Sequence, residues 1–325
     1  MQTYAFALLV LVAGLSGCGL IVDQRADRRE AEAEAAYPPE GEFVIVGDRR
    51  VHYVQAGTGP DLVLIHGASG STRDFTFDFL GRVQDDYRVT IFDRPGLGYT
   101  DRAADFYGGA FDERAESPQV QADLLKAAAD RLGVQHPIVL GQSYGGAVAM
   151  AWGLDHDPAA LVIVSGATQP WDGSLSATYQ TTASSLGGAG LVPLITAFAT
   201  QGQIHSALEG IFAPQDIPEG YEEYIGAPLS IRRETFRASS RQVNTLKPHL
   251  KEMAPRYPQL DIPVEILHGT ADSIVPYEVH ALPLSRQLPD ANLTLIENGG
   301  HMIHHVAAEQ VVEAIDRVAK RAGLR

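Results

Sequence analysis

The run Gly141-Gln142-Ser143-Tyr144-Gly145-Gly146 constrains this chain more than any other segment. It follows the apolar stretch Ile138-Val139-Leu140 and precedes the helix-forming stretch Ala147-Val148-Ala149-Met150-Ala151-Trp152. A G-x-S-x-G between a strand and a helix puts a serine on a tight turn and lifts its hydroxyl above the sheet, a nucleophile elbow. Side chains at 141 and 145 would collide where strand, turn and helix crowd together, so both positions call for glycine.

A serine hydroxyl is a poor nucleophile until a base takes its proton and a third group orients that base. Downstream, Val264-Glu265-Ile266-Leu267 reads as a buried strand and leads into His268-Gly269-Thr270-Ala271-Asp272. A second short strand, Leu293-Thr294-Leu295-Ile296, leads into Glu297-Asn298-Gly299-Gly300-His301. Candidate acid and base therefore each sit on a loop just past a strand, in the order Ser143, Asp272, His301. Asp172, after the strand-like Leu161-Val162-Ile163-Val164, competes for the acid role, but the local pattern at Asp272 is better. His304 and His305 follow His301 without the Cys or carboxylate spacing of a zinc site, so they are expected as local hydrogen-bonding or surface residues.

Strand-like runs alternate with helix-like segments such as Gln119 to Leu132, which predicts a mainly parallel sheet covered by helices. Phe43-Val44-Ile45-Val46 and Val51-His52-Tyr53-Val54, joined near Gly47-Asp48, read as a leading antiparallel pair. The length of 325 residues allows two domains, yet the spread of the motifs indicates one interrupted domain. Between Gly166 and about Tyr257 the alternation stops. A structureless loop of that length is improbable, so residues 168–256 are expected to form an inserted helical cap. Its aromatic and aliphatic residues, among them Trp171, Ile211, Phe212, Tyr221 and Tyr224, are candidates for pocket walls. A net charge of −15 excludes a nucleic-acid partner, which needs clustered basic residues.

Taken together, these segments resemble the α/β-hydrolase superfamily from about Gly41 to the C-terminus. Leu64-Ile65-His66-Gly67-Ala68 is similar to its oxyanion loop, and Asp93-Arg94-Pro95-Gly96-Leu97-Gly98-Tyr99-Thr100 to its next strand-end loop. The resemblance implies an α/β fold, a doubly wound sheet of about eight strands, with core segments 41–167 and 257–325 around the cap. It also implies an oxyanion hole from the backbone N–H groups of Ala68 and Tyr144, a loop-holding role for His66 and a loop-stabilising one for Asp93. No metal or organic cofactor is implied. Serine at 143 argues against the dehalogenase and epoxide-hydrolase branches, which use an aspartate nucleophile. Asp-Arg-Pro-Gly departs from the Asp-Gln-Arg-Gly of proline iminopeptidases. The expected activity is hydrolysis of a small-molecule carboxylic ester, lactone or thioester. The alternatives are C–C or amide hydrolysis, cofactor-free perhydrolysis, or a non-catalytic binding role.

At the N-terminus, the apolar run Tyr4 to Leu15 has the length of a secretory signal rather than of a membrane span. Leu15-Ser16-Gly17-Cys18 resembles the bacterial lipobox, although the first residues carry no Lys or Arg. The resemblance implies cleavage of residues 1–17 and a lipid on Cys18, the only cysteine, which also excludes an internal disulfide. Gly19, in place of the aspartate associated with inner-membrane retention, favours an outer-membrane lipoprotein. Residues 18–40, rich in Ala, Glu and Arg, are expected as a solvated tether or a short exposed helix. The sequence leaves the oligomeric state open.

Overall fold

The apolar runs become the middle of a sheet because nothing along them tolerates water. In a computed structural model, the strands β3 (Asp61–Ile65), β5 (Ile138–Gln142), β6 (Ala160–Val164) and β7 (Val264–Gly269) are buried at every position. β4 (Arg88–Phe92) is buried in all but its first residue. The structure describes the backbone of residues 2–325 and the side chains of residues 19–325. Its eight strands, with β1 (Glu42–Val46), β2 (Arg49–Ala56) and β8 (Ala291–Ile296), form one sheet in the order β1-β2-β4-β3-β5-β6-β7-β8. β1 and β2 are the antiparallel pair expected from the sequence, and β2 meets β4 antiparallel; every later pairing is parallel.

Strands buried on both faces need helices on both faces. The helices Pro118–Arg131 and Tyr144–Asp155 cover one side, where Trp152 is fully buried. On the other side lies Ala308–Arg321, whose Val311, Ala314, Ile315 and Val318 repeat at helical spacing and are all buried. The sheet order reverses at β3, which lies between β4 and β5. At such a switch point the loops leaving adjacent strand ends diverge and open a crevice. Here these are the loop after β3, starting at His66, and the elbow after β5.

Between β6 and β7 the chain forms the helices Ala177–Ala183, Ser185–Phe198, Gln201–Phe212 and Arg233–Met253. Ile204, Leu208, Phe212 and Tyr221 build a small core of their own against Met302, the neighbour of His301. The cap is thereby packed onto the base loop.

Of the solvated tether or short exposed helix expected at residues 18–40, the chain takes a helix, but one packed on the cap. The chain is helical over Gln2–Ala36, and from Gly19 onward this helix lies along the cap, burying Ala26 and Ala33. Its acids Asp23, Asp27, Glu30 and Glu34 recur at helical spacing on one face. Arg233 pairs with the first three, and Arg232 reaches Glu34 at 2.8 Å. Arg25 Nε and Arg29 Nη1 donate to the carbonyls of Ala197 and Ala199, at 2.6 and 2.7 Å, at the end of Ser185–Phe198. The acidic run is thus a docking face, and its charge answers Arg232-Arg233 rather than solvent. Cys18 and the apolar run before it lie outside the residues whose side chains are described. Arg233→Ala should loosen this helix without unfolding the core, since partly exposed pairs each contribute about 0.2–1 kcal/mol. Amide hydrogen exchange should speed up over residues 20–36 and stay unchanged in β5 and β6.

Candidate active site

The elbow is built by close backbone approach. A Cβ on Gly141 would lie 2.1 Å from the Gly145 carbonyl oxygen, and one on Gly145 would lie 2.2 Å from that of Ile65. Ser143 itself takes φ 54° and ψ −118°, a left-handed conformation that costs a non-glycine residue about 1–3 kcal/mol. The surrounding bonds hold it there. Ser143 N donates to the Val164 carbonyl at 3.0 Å, and the Ser143 carbonyl accepts from Gly146 N and Ala167 N, each at 3.0 Å.

His301 follows the turn after β8 and faces the elbow. Its Nδ1 lies 2.8 Å from Asp272 Oδ2, so Nδ1 carries the proton and the Nε2 lone pair faces the cavity. Asp272 Oδ1 accepts from the amides of Ile274 and Val275, both at 2.9 Å. Burial pushes this carboxyl up, but hydrogen bonds from His268 and His301 outweigh it and hold Asp272 well below the usual carboxylate range. His268 is a partner the sequence did not single out. Its Nε2 donates to the Val275 carbonyl at 2.6 Å and lies 3.3 Å from Asp272 Oδ2. The competing Asp172 is exposed on the loop after β6.

Ser143 and His301 line one cavity of about 330 Å³, together with Gly67, Ala68 and the cap residues Ile204, Leu208, Ile211 and Ile231. No hydrogen bond joins Ser143 Oγ to His301 Nε2 among the described residues; Gln142 Nε2 sits 3.4 Å from that nitrogen. Such bonds tighten when substrate fills a site. The amides of Ala68 and Tyr144 make no hydrogen bond within the described residues and stay available to a ligand.

Behind these amides stands a buried scaffold. His66 Nδ1 donates to the Gly67 carbonyl at 2.9 Å, and its Nε2 accepts from Arg94 N at 3.0 Å. Burial, helped by the Arg94 charge, lowers its pKa to about 4, so His66 is a neutral brace for the loop. The fully buried Arg94 donates to the Gly67 carbonyl, Gln121 and Gln242 and lies 4.3 Å from the centre of the Tyr144 ring. Asp93 ties the next loop by accepting from Thr72 N at 2.7 Å, Tyr99 N at 2.9 Å and His52 Nδ1 at 2.7 Å.

A second buried cluster was not legible in the sequence. Asp74, which lines the cavity, accepts from His304 Nε2 at 3.1 Å, His305 Nε2 at 2.9 Å and the Tyr221 hydroxyl at 2.9 Å. Burial opposes the charge on Asp74, but the two histidines hold its carboxyl well below the usual range. The donor atoms of Asp74, His304 and His305 lie within 4.8 Å of one another, close enough to share a metal ion. Hydrogen bonds with the hydroxyl and both imidazoles already satisfy the carboxylate. The cluster joins the oxyanion side, the base loop and the cap. Asp74→Ala would leave buried donors unpaired and should cost about 3 kcal/mol or more, read as a lower urea midpoint for unfolding.

The fold and this arrangement define a class, and comparison with known proteins supports it. The chain belongs to the alpha/beta hydrolase fold family, whose sequence profile matches residues 60–308. It is 24% identical over 294 residues to haloalkane dehalogenase 2 of Mycobacterium bovis, covering 86% of this chain and 94% of that protein. It is 25% identical over 253 residues to the pimeloyl-[acyl-carrier protein] methyl ester esterase of Vibrio atlanticus, covering 76% and 89%. Its fold matches a lipase structure from Acinetobacter baumannii, described as putative, with a TM-score of 0.67 at 23% identity, covering 91% and 97% of the two chains.

Proposed function

We propose that this hydrolase cleaves a carboxylic ester through an acyl-enzyme on Ser143. The observation that carries the reading is what one cavity brings together: a strained serine and a histidine in the same lining, and a buried carboxylate 2.8 Å from that histidine's Nδ1. Ser143 Oγ attacks the carbonyl carbon while His301 Nε2 accepts its proton. The negative oxygen of the tetrahedral intermediate is held by the amides of Ala68 and Tyr144. His301 then gives its proton to the leaving alkoxide, and the alcohol departs. Water, deprotonated by His301, attacks the acyl carbon, and the imidazolium returns that proton to Ser143 Oγ as the acyl–Oγ bond breaks and the acid leaves. Asp272 stays ionised and stabilises the imidazolium in both steps.

Among the relatives, the esterase's name agrees with this chemistry. Serine at the elbow sets the chain apart from an aspartate-dependent dehalogenation. The cavity's cap wall of Ile204, Leu208, Ile211 and Ile231 suits an apolar acyl or alcohol group. Hydrolysis of p-nitrophenyl esters of increasing chain length, with Ser143→Ala alongside, tests the reading. Serine-dependent turnover supports it, and folded protein that turns over none of the series overturns it. We also infer export to the cell envelope with a lipid on Cys18; Cys18→Ala should lose both the lipid label and membrane association.

A further inference from the structure

The cap helix Ser185–Phe198 contains no charged residue. Its buried positions, Gly187, Gly188, Val192, Pro193, Thr196 and Ala197, take one face. The opposite face exposes Leu191, Leu194 and Phe198, at 37%, 43% and 49% of their surface, while Leu186, 82% exposed, stands at the first turn to one side of them. A cap helix facing water ordinarily carries charge on that side. Contiguous apolar stripes of this kind mark interaction surfaces, unlike isolated exposed leucines. The stripe extends to the N-terminal helix. Arg25 lies against Phe198, 4.9 Å from its ring centre, and one turn earlier Leu20 and Ile21 are exposed at 63% and 64%.

Two further facts say what this face meets. Cys18, inferred above to carry a lipid, stands two residues before Leu20, so that lipid would be attached at the end of the stripe. Beside the stripe runs a groove of about 410 Å³, mostly apolar but with Gln203 in its lining, formed by Leu191, Leu194 and Phe198 with Ile204, Ala207 and Ile231. The last three also line the cavity of Ser143 and His301. Groove and cavity therefore share a wall of three apolar side chains.

We propose that this stripe is a bilayer-docking face, and that the acyl chain of a membrane lipid ester reaches Ser143 from it through the groove, past Ile204, Ala207 and Ile231. The inference rests on the ester-hydrolase reading for its chemistry and on the stripe for its location. The reaction is balanced hydrolysis. The acyl C–O bond breaks, water supplies hydroxyl to the acyl carbon and a proton to the alcohol oxygen, and the fatty acid and alcohol leave. Docking places the chain end of the substrate in an apolar path throughout, so the lipid need not cross water to be cleaved.

The test uses the full chain, the double variant Leu20→Asp/Ile21→Asp and the single variant Ile21→Asp, at exposed positions that line neither groove nor cavity. Two substrates are compared: p-nitrophenyl butyrate in solution, and 4-methylumbelliferyl oleate carried in phosphatidylcholine vesicles. The variants should hydrolyse the vesicle-borne ester tenfold more slowly or worse, and the soluble ester within twofold of the parent. Hydrogen exchange over residues 186–198 should slow when vesicles are added to the parent and not to the double variant. Unchanged vesicle activity without exchange protection overturns the proposal, and so does an equal loss on both substrates by folded protein. Slowing of exchange with protein concentration alone assigns the face to a second copy of the chain and overturns it too. Should neither ester turn over with the parent, the esterase reading fails, while exchange protection still decides the docking face.

Discussion

Ser143→Ala should remove covalent labelling by a fluorophosphonate and lower kcat on esters by on the order of 10⁵- to 10⁶-fold, the scale on which serine triads fail as a unit. Alanine lacks the Oγ that forms the acyl-enzyme, and its methyl fits the same turn, so the folded state survives. Residual turnover would come from the Ala68 and Tyr144 amides and substrate positioning alone. Asp272→Asn should keep the geometry but lose about 10⁴-fold, because an amide cannot stabilise the imidazolium and favours the wrong tautomer of His301. The measurement is single-turnover acylation with a p-nitrophenyl ester, followed by mass spectrometry of the labelled peptide. A label on a serine other than Ser143 would overturn the assignment.

A loss of stability in mild acid is the second large effect. His66, His280 and His304 are buried, and burial lowers each pKa from 6.5 to about 4. The Arg94 charge adds to this at His66. Between those pH values the unfolded chain binds protons at these sites and the folded chain does not. Unfolding is therefore favoured by every step down in pH. Their contribution is fully present above pH 6.5 and is lost as the pH falls towards 4. At pH 5 an uncoupled buried histidine of this kind loses on the order of 2 kcal/mol, a large share of a domain's stability. Asp74 and Asp272, held below the usual carboxylate range, add a further loss once the pH falls below about 4. Urea unfolding monitored by circular dichroism at pH 7.5, 6 and 5 should show the midpoint falling steeply over this window. His304→Gln retains an N–H towards Asp74 without a titrating ring, so it should flatten that slope. A midpoint independent of pH from 7.5 to 5 would show that these imidazoles are not held neutral.

What the sequence determined about this protein is local. Gly141 was legible because a Cβ there would lie 2.1 Å from the Gly145 carbonyl oxygen, a clash set within the turn itself, whereas at Gly145 the clash is with Ile65, which only folding brings alongside. The strands β3 and β5 to β7 were legible because strands covered on both faces are mostly apolar, and buried exceptions such as Glu265 must find a partner, here Arg317 and Arg321. Asp272 and His301 stood out as candidates because each lies on a short loop past such a strand, and folding brings them 2.8 Å apart.

Only the tertiary structure decided the rest. Asp74 meets Tyr221 across 147 residues and His304 across 230, and no local period connects such positions. Arg94 reads as one basic residue in a turn, but folding buries it beside Tyr144, Gln121 and Gln242. The segment 18–40 misled for the same reason. A run of Ala, Glu and Arg has the composition of a solvated helix, and its acids gain a partner only when the cap brings Arg232 and Arg233 alongside. Steric and periodic constraints act along the chain and can be read from it. Burial and charge pairing depend on neighbours that folding alone supplies.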